Sequence, residues 1–133
     1  MTKLRQRLSH QEGFTLIELL IVIVIIGILL AIAVPSYLGF KTRANNRAAQ
    51  SDVREAIPVA EAYYSDNGKY TGMTPTLLKV IDTGLSDKVS VAAATSGGYC
   101  LNATVGGQQW SAHGPGATWH NSNNCGGATA SVG

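Results

Sequence analysis

Charge is scarce where this chain is most apolar. Between Arg7 and Lys41 the only charged residues are Glu12 and Glu18, and from Leu19 to Phe40 there is none. Cysteine is scarce too: Cys100 and Cys125 are the whole supply. Neither they nor His113 and His120 show a CxxC or HxxxH spacing, so no metal site is expected and the two histidines read as loop residues. No Gly-rich phosphate loop follows a strand pattern, and nothing places a serine nucleophile beside a base. These gaps argue against an enzyme and against a cofactor. Excess charge is also missing. From Phe14 onward seven Lys and Arg residues meet seven Asp and Glu, leaving no electrostatic footprint for nucleic acid. At 133 residues there is room for one small domain.

What is present is sharply segregated. Lys3, Arg5 and Arg7 precede an apolar run that begins at Phe14, which predicts insertion with the C-terminal side outward. Leu19 to Leu38 supplies about the 20 residues that a helix needs to cross a bilayer. A signal peptide, an anchor and a membrane-stored subunit all fit so far. A signal peptide would be cut after Ala33, in Ala31-Ile32-Ala33, and would leave a soluble secreted binding protein starting at Val34. Glu18 argues against it. A carboxylate within an apolar span costs about 2.5–3.5 kcal/mol even on lenient scales, so it calls for a partner.

Gly13-Phe14-Thr15-Leu16-Ile17-Glu18, running on through the apolar series to Pro35, resembles the processing motif and N-terminal helix of type IV pilins. Pseudopilins of secretion and DNA-uptake systems share that motif. The strong likeness covers roughly residues 9–40, and Ala60 to Tyr70 resembles the family's helix end and following loop more weakly. Beyond position 75 only the layout is similar.

The resemblance implies a leader over 1–13, cut between Gly13 and Phe14 by a prepilin peptidase. A glycine there lets a protease approach the backbone closely. It implies methylation of the new amino group on Phe14, which keeps that group's charge. It further implies a membrane-spanning, filament-core half-helix over 14–40 and a periplasmic or extracellular head over 41–133. The implied partners are other copies of this chain in a helical homopolymer, the peptidase/methyltransferase, an assembly platform with its ATPase, and the inner membrane. Nucleic acid is left open but not indicated. The implied function is a structural subunit of a type IV pilus, stored in the membrane and then extracellular, serving adhesion, twitching motility or DNA uptake.

In that family the carboxylate corresponding to Glu18 meets the N-terminal amine of a neighbouring subunit, which would offset the burial of both charges. The other reading is a local cap, with Glu18 accepting from N–H groups of its own first turn. Pro35 removes a backbone bond and is expected to kink the helix, or to let it open near Ala31–Val34 on assembly.

From Ala44 to Tyr64 apolar residues recur at helical spacing with charges on other faces, and Asn67-Gly68 is a stop signal. Such a helix needs a cover, which residues 69–133 must supply. Thr74-Pro75 predicts a short helix over 75–81. Val89–Thr95, Tyr99–Val105, Gln108–Ala112 and Ala117–His120 read as strands, with Gly106-Gly107 as a hairpin turn. The expected fold is α+β: a long N-terminal helix with a small antiparallel sheet on its second half. A Cys100–Cys125 disulfide would close 24 intervening residues, and export favours it over two free thiols. Trp110, Trp119 and Tyr99 read as packing more readily than as a stacking platform. Asn102-Ala103-Thr104 matches a glycosylation sequon.

The nearest alternative is a pseudopilin of a type II secretion or competence system. Major pseudopilins often carry a calcium loop near the C-terminus, and here no Asp or Glu follows Val105. A permanently anchored, monomeric adhesin is a further alternative.

Overall fold

The computed structural model describes residues 14–125. Contacts divide the chain into two units, Met1–Phe40 and Lys41–Gly133. Helix α1, Leu16–Asn67, begins in the first and ends in the second, and its assignment is unbroken at Pro35 and Pro58. Gly13 and the rest of the expected leader lie outside the described residues.

Within the first unit the helix is apolar all round, as a helix surrounded by apolar material must be. Every large apolar side chain from Phe14 to Phe40 is at least 49 % exposed. Keeping such side chains in water forgoes about 1.5–3 kcal/mol each, so this surface as a whole forgoes tens of kcal/mol. By length and composition the helix can cross a membrane.

The second unit has its own core. Ala49, Val53, Ala56, Val59, Ala60 and Tyr63 form one buried stripe of α1. Tyr70, Met73, Leu78 and Leu85 from the connecting segment complete the core, with Val89, Tyr99, Leu101, Ala103 and Ala112 from the sheet. Helix α2, Pro75–Ile81, starts as its sequence predicts: Thr74 Oγ1 accepts from the Leu77 N–H at 3.3 Å, with proline in the first turn.

The sheet is an antiparallel meander of β1 (Val89–Ala94), β2 (Tyr99–Val105), β3 (Gln108–Gly114) and β4 (Thr118–His120), neighbours in that order. Alternation along β2 turns Tyr99, Leu101 and Ala103 to the core and Cys100 and Asn102 to the other face. Register carries this across, pairing Leu101 with Ala112 and Asn102 with Ser111. Gly106 and Gly107 both have positive φ, as a two-residue turn of the primed type requires. β3 runs two residues past the expected Ala112, because Gly114 pairs with Tyr99 and His113 with both Cys100 and Thr118.

The outer face is closed by the segment after β4. Cys100 is bonded to Cys125, with Cα atoms 6.1 Å apart. The Cys125 N–H donates to the buried Ser111 Oγ at 3.0 Å. The Asn102 amide donates to the Asn123 carbonyl and accepts from Ser90 Oγ. Both ends of the sequon's amide are thus engaged, at the surface of the sheet.

Candidate functional site

The start of α1 is where the sequence concentrates chemistry. Phe14 is 73 % exposed. Thr15 follows it as the residue preceding the helix, and its carbonyl accepts from the Glu18 and Leu19 N–H groups at 3.1 and 3.3 Å. Thr15 Oγ1 also accepts from the Glu18 N–H at 3.4 Å, and Glu18 Oε2 accepts from the Thr15 N–H at 3.2 Å. This is a reciprocal capping box, in which the Thr15 N–H gains a side-chain acceptor and the Glu18 N–H is shared between the Thr15 carbonyl and hydroxyl.

The local cap is therefore present in the isolated chain. It uses Oε2, and the side chain stays exposed. The Thr-x-x-Glu spacing that identifies such a box is legible in the sequence. Thr15 is the residue that attention to Glu18 alone leaves out.

A second cluster lies in the head. Glu61 of α1 receives the Tyr70 hydroxyl on Oε2 at 2.9 Å and the Tyr99 hydroxyl on Oε1 at 3.1 Å. The Tyr70 and Tyr99 rings meet edge-on with centroids 4.8 Å apart, and Tyr64 lies 4.7 Å from Tyr70. Burial, the hydrogen bond to Glu61 and its charge push the Tyr70 hydroxyl up to about 12. Burial, followed by the charge of Glu61, raises Tyr99 further. No spacing in the sequence marks Glu61 as the acceptor of two phenols. The cluster joins helix, connecting segment and sheet, and its role is cohesion.

The remaining candidates fall out as follows. His113 and His120 lie on the outer sheet face, and their Nε2 atoms are buried without a hydrogen-bond partner among the described residues. No group of three or more His, Cys, Asp or Glu side chains among the described residues could hold a metal ion. Trp110 and Trp119 are partly buried and pack against the core, and Arg54 stacks over Trp119 at 5.6 Å from the ring centre. Pro35 lies within continuous helix.

Comparison with known proteins agrees with this geometry. A family model described as the prokaryotic N-terminal methylation motif matches residues 8–34, a stretch that includes Gly13, Phe14 and Glu18. The chain is 36 % identical over 111 residues to the type IV wide pilus major component PilA4 of Thermus thermophilus, covering 81 % of this chain and 85 % of that protein. It is 39 % identical over 62 residues to the type IV major pilin protein PilA of Myxococcus xanthus, covering 47 % of this chain and 28 % of the relative. Against the type II secretion system core protein G of Escherichia coli it is 42 % identical over 62 residues, covering 47 % and 43 %.

Proposed function

From the type IV pilin superfamily, to which this chain belongs, we propose its function: a structural subunit of a type IV pilus, held in the membrane and then polymerised. The observation that carries this is the bare apolar half-helix. From Phe14 to Phe40 no large apolar side chain is covered within the chain, whereas the head from Lys41 onward buries its own core. A surface of that kind needs lipid at one time and other copies of the same helix at another, since each replaces water with apolar contact. Storage and polymerisation are those two states.

Within this reading, the peptidase cuts between Gly13 and Phe14 and the exposed Phe14 carries the methylated amine. Glu18 accepts that amine from a neighbouring subunit through its uncommitted oxygen while the cap holds the other. The partners are further copies of the chain, the peptidase/methyltransferase, the inner membrane and an assembly platform driven by an ATPase. The filament serves adhesion, motility or DNA uptake.

The pseudopilin reading is favoured by one observation, the match to secretion core protein G. The match to a pilus component covers 81 % of the chain where the match to the secretion proteins covers under half. That difference extends the likeness into the head and favours the pilus.

Mass spectrometry of filaments sheared from cells tests the proposal. Abundant peptide beginning at N-methylated Phe14 is the expected result. A leader still attached, or a chain beginning at Val34, would overturn it.

A further inference from the structure

Arg43, Asn46, Arg47 and Gln50 fall at helical spacing on one face of α1, and Trp110 of β3 stands beside them. Together these five line an open groove of about 400 Å³. The Trp110 Nε1–H donates to Asn46 Oδ1 at 2.8 Å, which fixes the indole as a wall and uses its only donor. The groove's strong donors are then the two guanidinium groups. Among the described residues no carboxylate pairs with either, and Arg54, further along the helix, is committed to Trp119. Two unneutralised planar forks one turn apart suit an anion with several acceptor oxygens.

The position of the groove along the chain selects the anion. Arg43 follows Phe40, the last residue of the apolar run, by three positions and Arg47 by seven, a rise of about 4.5 and 10 Å along a helix. The polar layer of a bilayer adds roughly 5–7 Å to each side of a hydrocarbon core of about 30 Å. Arginine side chains bend back readily toward that layer, and tryptophan favours the same depth. We infer that this groove holds the phosphate of a phospholipid headgroup, in the leaflet facing the head, while the subunit is stored in the membrane. The inference rests on the membrane-storage part of the proposed function. It adds a second, polar attachment to the apolar one, and the lipid must leave when the subunit enters a filament.

The test uses the full chain with Trp119→Phe, so that Trp110 is the sole tryptophan. The chain is reconstituted in vesicles of a phosphate-free galactolipid, and phospholipid bearing a headgroup nitroxide is added in increasing mole fraction. Half-quenching of Trp110 is expected at about a tenfold lower mole fraction than for the Arg43→Gln/Arg47→Gln variant, the effect of losing a charge-assisted contact. Lys69→Gln/Lys88→Gln, with the same charge loss away from the groove, should match the parent.

Equal half-quenching of parent and groove variant, with both inserted by flotation, overturns the inference and leaves membrane storage intact. Relief of quenching by millimolar inorganic phosphate would make the groove a soluble-anion site and overturn it. So would dependence on the protein-to-lipid ratio, which would put a second copy in the groove. A chain that fails to float with vesicles overturns both readings.

Discussion

Replacing Glu61 with alanine should loosen the head more than any other single charge removal, because one carboxylate serves two buried phenols. Tyr70 and Tyr99 are each 2 % exposed, and Glu61 is the acceptor for both hydroxyls. Each buried donor left unpaired costs about 1–3 kcal/mol, giving roughly 2–6 kcal/mol for Glu61→Ala. Total stabilities of small domains are about 5–15 kcal/mol, so the loss is large. Tyr99→Phe removes a donor and leaves Glu61 bonded to Tyr70, for a loss of about 1 kcal/mol. The double variant should lose at least about 0.5 kcal/mol less than the sum of the singles, as groups in direct contact do. The assay is denaturation of the full chain in non-ionic detergent, followed by near-ultraviolet circular dichroism. A Glu61→Ala loss under about 0.5 kcal/mol, the level of an ordinary surface change, would refute the reasoning. Strict additivity with Tyr99→Phe would refute it too.

The same cluster predicts alkaline sensitivity. Tyr70 and Tyr99 hold their protons more tightly folded than unfolded, where phenols ionise near 10. Their contribution is therefore complete below about pH 10 and fades as pH rises toward 12, by about 1.4 kcal/mol per pH unit for each retained proton. Stability should therefore be lower at pH 11 than at pH 9, and the Tyr70→Phe/Tyr99→Phe variant should escape that fall. Thr15→Ala removes a cap acceptor at about 1 kcal/mol but keeps the carboxylate, so filament yield should survive it and fail in Glu18→Gln. Sheared filament per cell is the measurement. Gly114→Ala would drive a Cβ into the Tyr99 ring, which cannot withdraw, so a loss of about 1–3 kcal/mol should appear in the denaturation midpoint. Reduction of Cys100–Cys125 should cost about 3 kcal/mol, seen as a lower midpoint with added thiol.

Local chemistry made most of the fold legible. Thr74-Pro75 marks a helix start, Gly106-Gly107 a turn and Asn67-Gly68 a stop, and each signal acts within a few residues of where it is written. Strands β1 and β2 announce themselves by β-branched and aromatic residues between glycines. The end of β3 does not, because His113 and Gly114 pair only where β2 and β4 offer partners. The same division holds for sites. The motif at Phe14 and Glu18 is contiguous, so it can be read along the chain. Glu61 and Tyr99 are 38 positions apart, and Asn46 and Trp110 are 64 apart. Those contacts depend on which face of the sheet meets which turn of the helix, and no spacing rule supplies that. Gly114 illustrates the limit: its need for hydrogen instead of a methyl group comes entirely from the ring packed against it.

Glu18 shows how two readings of one residue can be steps of one mechanism. The capping box commits Oε2 to the Thr15 N–H, and an ionised carboxylate keeps acceptor sites on both oxygens. In the proposed filament an incoming amine therefore meets a carboxylate already ordered at the helix start, and little side-chain freedom is lost in pairing. Burying the charge without that amine would still carry a penalty of several kcal/mol per ion, which a single backbone N–H cannot offset. The cap stabilises the lone subunit, and the missing second partner makes misregistered assembly unfavourable. A residue serving only as a cap could be exchanged for glutamine with little consequence. A residue serving both purposes could not, because glutamine accepts the N–H but brings no charge to the amine. The contrast between Thr15→Ala and Glu18→Gln thus separates helix stability from assembly.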